Sequence, residues 1–147
     1  CCASPAYLAK RGTPRTPAEL AAHECLSYTL VPVPNVWRFE STRSERHELR
    51  VTARHRANSG RMLAALADGG LGIVIEPDFI IAPYVRAGTL VRVLPDYTLP
   101  RSPIAAVYPS RRHLSAKVRA FVDFLAARFA SEQPWRLDQG PGILRES

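Results

Sequence analysis

Cysteine and histidine are the residues that could supply a nucleophile or bind a metal ion here, and their spacing predicts neither. The three cysteines, Cys1, Cys2 and Cys25, form no Cys-x-x-Cys pair, and an odd number argues against a disulfide framework. No Gly-x-Ser-x-Gly elbow is present. The four histidines are scattered along the chain: His23, His47, His55 and His113. We therefore predict no catalytic residues, no metal site, no cofactor and no enzymatic activity.

The glycine run Gly69-Gly70-Leu71-Gly72 raises the question of a nucleotide site. A phosphate-binding loop runs from a strand into a helix, so that backbone N–H groups face the anion. Here the order is reversed, because a helix pattern over 59–68 precedes the glycines and a strand pattern over 71–75 follows them. A residue just past a helix often needs a left-handed conformation, which glycine adopts without steric cost. The run therefore predicts the end of a helix.

The net charge of +7 invites comparison with nucleic-acid-binding domains. Six arginines fall within residues 37–56, but Glu40, Glu45 and Glu48 are interleaved with them. No aromatic platform or groove-reading helix accompanies these charges. The pattern favours a solvated basic face, with a weak polyanion patch as the alternative. The longest apolar run, 71–75, is far below the roughly 20 residues that cross a bilayer, so we predict no membrane span.

Strand and helix patterns alternate along the chain, which predicts an α/β fold with helices on both faces of a central sheet. Strand patterns cover 1–3, 24–30, 37–41, 47–56, 71–75, 89–97 and 103–108. Helix patterns begin at Pro5, Pro17, Ser59, Pro77 and Ser115. The last helix, 115–130, carries an apolar stripe at helical spacing that we expect to be core: Val118, Phe121, Val122, Leu125 and Phe129.

Polar residues follow several of these strands, where ligands bind in open α/β sheets. Four sets qualify: Ser4-Pro5, Tyr28-Thr29, Asn58-Ser59 and Glu76-Pro77-Asp78-Phe79. If the strands are parallel, the four sets share one edge and could bind a small polar or anionic molecule. The alternative is that Ser4, Asn58 and Ser59 are ordinary helix caps, and that Glu76 and Asp78 only complement the start of a helix.

Four segments in this order resemble the effector-binding domain of LysR-type transcriptional regulators. They are ASPAYLAKRGTPRTPAELAAHECLSY, ANSGRMLAALADGGLGIVIEPDFI, GTLVRVLPDY and IAAVYPSRRHLSAKVRAFVDFLAARF, which together cover residues 1 to about 130. The resemblance implies two α/β subdomains of the periplasmic-binding-protein type 2 kind, joined by two crossover segments. A small-molecule effector would bind in the cleft between them, at the four sets named above.

The same resemblance implies how the chain is divided. Residues 1–95 would form the second effector-binding subdomain, 96–102 a crossover hinge, 103–130 the returning strand and helix of the first subdomain, and 131–147 a flexible tail. A winged helix-turn-helix would precede Cys1 and contact DNA in place of this chain. A bacterial, cytoplasmic homodimer or homotetramer is implied, with no membrane partner.

Two alternatives and two further expectations accompany this interpretation. A two-lobed solute-binding protein or a cleft enzyme would use the same architecture. Some relatives sense peroxide through two cysteines in the loop after the second strand, but here that loop has none, and Cys25 is expected in the core. Strand 103–108 and helix 115–130 would lack their partner strands, so we expect them to fold back on residues 1–95 or to pair with a second copy.

Overall fold

The structure is a computed structural model that describes residues 1–100, 105, 107, 115–131 and 137. The strands are β1 Cys2–Ala3, β2 Cys25–Tyr28, β3 Val36–Ser41, β4 Arg46–Arg50, β5 His55–Ala57, β6 Ile73–Val74, β7 Val91–Arg92 and β8 Tyr97–Thr98. The α-helices are α1 Pro5–Arg11, α2 Gly60–Asp68, α3 Asp78–Arg86 and α4 Ala116–Ser131, with a 3-10 helix at Pro17–Ala22. The predicted strand 103–108 lies outside the described residues except for 105 and 107.

The central sheet has five strands in the order β5-β2-β6-β1-β7. Strand β2 pairs parallel with both β5 and β6, whereas β1 pairs antiparallel with β6 and β7. Because two antiparallel pairings restore the direction, β7 runs the same way as β6. The last residues of β2, β5, β6 and β7 therefore lie at one edge of the sheet, which we call the carboxyl edge. The first residue of β1 lies there too.

Side chains alternate between the two faces of this sheet, and each face has its own core. One face buries Ala3, Cys25 and Ile73 together with Tyr7 of α1 and Leu20 of the 3-10 helix. The opposite face packs against α2 and α3, and its core comprises Cys2, Leu26, Leu63, Ala67, Val74, Ile81 and Leu90. Helices thus cover both faces, as the alternating sequence pattern predicts.

A second sheet, ordered β4-β3-β8, extends the first core. Strand β3 alternates clearly, since Trp37 and Phe39 are buried while Arg38 and Glu40 are exposed. Across the β3–β4 hairpin the Arg38 guanidinium pairs with the Glu48 carboxylate at 2.7 Å, and both side chains remain more than half exposed. This part of the basic segment is a solvated face in which charges of both signs alternate, as predicted.

The glycine run after α2 ends the helix. Gly69 N–H donates to the carbonyl of Ala65 at 2.9 Å, and Gly70 has φ +80°, in the left-handed region. β6 follows at once and packs in the middle of the sheet. The run is therefore a helix end followed by a strand, and the reversed order that argued against a nucleotide site is confirmed.

Helix α4 differs from its predicted role. Val118 is 41% exposed and Phe121 is 60% exposed, so the prediction that the apolar stripe is core is wrong for these two residues. Val122, Leu125 and Phe129 are half-buried. Helical spacing shows which face of a helix is apolar, but it does not show whether other residues of the same chain bury that face.

Tyr7 connects α1 to the start of β2 through its buried hydroxyl. That hydroxyl accepts the N–H of Glu24 at 2.9 Å and lies 3.2 Å from Nδ1 of the buried His23. Tyr7→Phe leaves both groups without this partner, and an unsatisfied buried polar group costs about 1–3 kcal/mol. We expect urea denaturation to show a loss of that size in the free energy of unfolding. An unchanged value would mean that the hydroxyl contributes nothing to stability.

Candidate functional site

The carboxyl edge brings together three of the four predicted sets of polar residues. Tyr28 pairs with Ala57 in register, and Leu26 pairs with Val74, so β2, β5 and β6 end at nearly the same level. Thr29 N–H donates to the carbonyl of Ala57 at 2.9 Å, which continues the pairing one residue further. Tyr28-Thr29, Asn58-Ser59 and Glu76-Pro77-Asp78-Phe79 follow these strand ends. Their shared location, predicted for parallel strands, is confirmed.

Ser4 and Pro5 lie elsewhere, and their predicted position on this edge is wrong. Strand β1 is antiparallel to its neighbours, so its carboxyl end points to the opposite edge of the sheet. Ser4 is buried there, and its hydroxyl accepts the N–H of Tyr7 at 3.3 Å as the N-cap of α1. Pro5 is the exposed first residue of that helix. The ordinary capping role, weighed above as the alternative, explains Ser4.

Two helices begin at the carboxyl edge, and each begins differently. Ser59 caps α2, because its hydroxyl accepts the N–H of Met62 at 3.4 Å. Asp78 begins α3 and forms an ion pair with Arg92 at 3.4 Å. Arg92 ends β7, so it also lies on this edge. Arg92 is not among the residues predicted from the sequence, because the direction of β7 depends on β1. The end of the strand pattern within TLVRV is the only local signal for it.

Glu76 is the most unusual side chain of the edge. It is only 9% exposed, and its Oε1 atom has no hydrogen-bond partner among the described residues. Burial removes water from the carboxylate and raises the pKa of Glu76 to about 7. Its Oε2 atom lies against the backbone of Gly60, where an added Cβ would clash with the carboxyl group and lie 2.7 Å from Cδ1 of Ile80. Glycine at the start of α2 thus makes room for this carboxyl group.

Large apolar side chains are exposed beside these polar groups. Met62 in the first turn of α2 is 58% exposed. Phe79 in the first turn of α3 is 54% exposed. Exposed apolar residues that cluster around polar groups are common where ligands bind. The edge therefore offers both hydrogen-bonding and apolar contacts.

The described residues offer little that resembles nucleophilic or metal chemistry. Cys25 is fully buried, and burial raises the pKa of its thiol to about 12, which keeps it protonated and unreactive. Its predicted place in the core is confirmed. Burial also raises the pKa of Cys2. Within the described part of the chain, no group of three or more His, Cys, Asp or Glu side chains is arranged to hold a metal ion.

A small cavity of about 200 Å³ lies beside the turn of the β3–β4 hairpin. Its lining residues are Ser41, Thr42, Arg43, Glu45, Asp96 and Tyr97. It includes none of the predicted site residues.

Comparison with known proteins identifies the family to which this chain belongs. The family model described as the LysR substrate binding domain matches residues 1–130. This chain belongs to that family. It is 36% identical over 137 residues to the transcriptional regulator PtxR of Pseudomonas aeruginosa, a match that covers 93% of this chain and 43% of PtxR. The resemblance carried by the four sequence segments is confirmed.

Solved structures agree with the family and with the fold. The regulatory domain of CrgA from Neisseria meningitidis has a TM-score of 0.71 and 34% identity, over 86% of this chain and 62% of that one. The regulatory domain of AphB from Vibrio vulnificus has a TM-score of 0.64 and 28% identity, over 86% and 62% of the two chains. The predicted fold, an α/β domain of the periplasmic-binding-protein type 2 kind, is confirmed.

This LysR substrate-binding domain is short beside its relatives. It spans less than half the length of the curated regulators PtxR and CrgA. Over the described residues, no helix is both long enough and apolar enough to cross a membrane.

Proposed function

We propose that this chain is the effector-sensing part of a bacterial LysR-type transcriptional regulator, and that the carboxyl edge binds the effector. The observation that supports this most strongly is the convergence of Tyr28, Asn58 and Glu76 from three different strand ends on one edge. Ligands of open α/β sheets bind outside the carboxyl ends of the strands. PtxR, CrgA and AphB are regulators by name or title, which favours regulation over the solute-binding and enzyme alternatives.

The path of the chain also favours a cleft at this edge. The N–H of Val93 donates to the carbonyl of Cys1 at 3.0 Å, so the residues after β7 run beside the start of β1. A second subdomain joined by two adjacent crossover segments would face the carboxyl edge. In this proposal residues 1–95 are the second subdomain, 96–102 the hinge and 103–130 the returning strand and helix. The predicted tail, 131–147, lies outside the described residues except for 131 and 137.

The rest of the regulator follows from the same proposal. The chain has no enzymatic role and contacts DNA only through a winged helix-turn-helix domain outside these residues. The regulator works in the cytoplasm as a homodimer or homotetramer. An assembly of this kind would cover the exposed apolar face of α4, where Phe121 and Phe124 are more than half exposed.

The proposal is tested by screening the 147-residue chain against a library of small polar and aromatic molecules by two-dimensional NMR. We expect binding molecules to shift the amide signals of Thr29, Asn58 and Glu76. The signals of Ser4 and Gly70, at the opposite edge, should stay in place. Molecules that shift only the opposite edge would contradict the assignment of the site.

A pair of substitutions at the two ends of α2 sharpens this test. Asn58→Ala removes an exposed amide beside the N-terminal end, and one lost hydrogen bond to a ligand weakens binding about 3- to 10-fold. Asp68→Ala at the C-terminal end of the same helix is the control, and it should leave the affinity unchanged. Equal effects of the two substitutions would place the site away from the carboxyl edge.

A further inference from the structure

We propose that Glu76 selects the effector by accepting a hydrogen bond from a donor group of the ligand, an ammonium or a hydroxyl, and that it disfavours a carboxylate at the same position. This inference rests on the proposed effector site at the carboxyl edge. It adds the chemical class of ligand that one part of the site accepts.

One oxygen of the Glu76 carboxyl group lacks a hydrogen-bond partner among the described residues. Glu76 is 9% exposed, and Oε1 has no hydrogen-bond partner among the described residues. Buried polar groups are nearly always hydrogen-bonded, and an exception calls for an explanation. No salt bridge of the described residues involves Glu76, although Asp78 two residues later pairs with Arg92. A donor group of a ligand would supply the hydrogen bond that Oε1 of Glu76 lacks.

The residues around Glu76 leave room for its carboxyl group. Any side chain at residue 60 would meet Oε2 and Cδ of Glu76, and Gly60 avoids this contact. Glu76 precedes Pro77, which favours an extended backbone and so fixes the direction in which the strand leaves the sheet. The carboxyl group is therefore held at the start of α2, beside Asn58 and Ser59.

In this proposal a ligand reaches the buried carboxyl group through small side-chain movements. Rotation about the last side-chain bond of a glutamate is nearly free and exchanges its two oxygens. Phe79 is 54% exposed, and in this proposal it turns aside as a ligand enters. Together with Met62 it would then cover an apolar body, while Glu76 accepts the donor group. A carboxylate at this point would meet a second negative group with no described cation paired to it.

Three probes with one aromatic skeleton test the selection: 2-phenylethylamine, 2-phenylethanol and phenylacetate. Affinities are measured by NMR titration of the 147-residue chain at pH 8, above the pKa of about 7 that burial gives Glu76. Because hydrogen bonds to a charged group are about twice as strong as neutral ones, we expect the amine to bind at least about 10-fold more tightly than phenylacetate. The alcohol should lie between them.

Two variants with the same change in net charge separate this role from general electrostatics. Glu76→Gln keeps the shape and should reduce the preference for the amine to less than about 3-fold, because the charged acceptor is gone. Asp68→Asn removes a carboxylate at the far end of α2 and should keep the preference.

Each remaining outcome contradicts a defined part of the proposal. If phenylacetate binds as tightly as the amine, or if Glu76→Gln keeps the preference, the role of Glu76 is wrong while the effector site stands. If none of the probes shifts the signals of Thr29 or Asn58, both the role of Glu76 and the proposed site are wrong for this class of ligand.

Discussion

Gly72→Ala is expected to lower the free energy of unfolding by about 3 kcal/mol or more, the range of severe overpacking in a buried site. A Cβ at this position would lie 2.5 Å from the carbonyl oxygen of Glu24 and 3.1 Å from its carbonyl carbon. Both are backbone atoms of the neighbouring segment and cannot swing away. The same carbonyl accepts the N–H of Ile73 at 2.9 Å, so displacing it also weakens the β2–β6 pairing.

Gly69→Ala is the matched control from the same glycine run. Gly69 has φ −70°, which any residue adopts, and an added Cβ would make only ordinary contacts, the nearest at 3.4 Å. We expect its effect to stay within about 1 kcal/mol, because alanine also restricts the unfolded chain. Both values come from urea or guanidinium denaturation at equilibrium. Equal losses in the two variants would show that the close approach at Gly72 is relieved at little cost.

Ionisation of Glu76 is expected to make the chain less stable as the pH rises from about 4.5 to about 7. Burial raises the pKa of this carboxyl group from 4.5 to about 7. In that pH window the folded state keeps a proton that the unfolded state has lost, so stability falls with rising pH. Below about pH 4.5 the carboxyl group is protonated in both the folded and the unfolded state, so its ionisation costs no stability there. The total loss is about 3 kcal/mol, at 1.36 kcal/mol for each unit of pKa difference.

The comparison of wild type with Glu76→Gln isolates this effect. Glutamine does not ionise, so the difference in unfolding free energy between the two proteins carries the titration of Glu76 alone. His23 contributes with the opposite sign: burial lowers its pKa, so the folded state releases the proton first and stability rises with pH up to about 6.5. That contribution is common to both proteins and cancels. A difference that stays constant between pH 4.5 and 8 would show that Glu76 ionises as freely in the folded state as in the unfolded chain.

Much of the local structure could be predicted from the sequence. The alternating strand and helix patterns, the end of α2 at the glycine run and the β3–β4 hairpin all depend on neighbouring residues, and their signals are local. The order of four segments also identified the family. Side-chain alternation in β3, with Trp37 and Phe39 inward and Arg38 and Glu40 outward, is visible in the sequence itself.

The direction of β1 could not be predicted. It is a strand of two residues, and apolar periodicity shows which side chains face a core but carries no information on whether neighbouring strands run parallel or antiparallel. Only its position between β6 and β7 sends Ser4 to the far edge and brings Arg92 to the near one. The difference between Gly69 and Gly72 is of the same kind. Gly69 simply follows a helix. Gly72 must be glycine because the backbone of Glu24, 48 residues earlier in the chain, packs against it.

The burial of side chains at the candidate site also depends on tertiary structure. The sequence placed Glu76 after a strand and before a helix, but its burial against Gly60 comes from the packing of α2 beside the end of β6. The apolar spacing of α4 is visible in the sequence, but the exposure of its apolar face is not. A periodic pattern identifies the apolar face of a helix and does not show what packs against that face. What the sequence determined by itself was the family, the order of elements and the candidate residues. Only the tertiary structure decided which of them meet, because strand direction and close backbone approach arise between segments far apart in the chain.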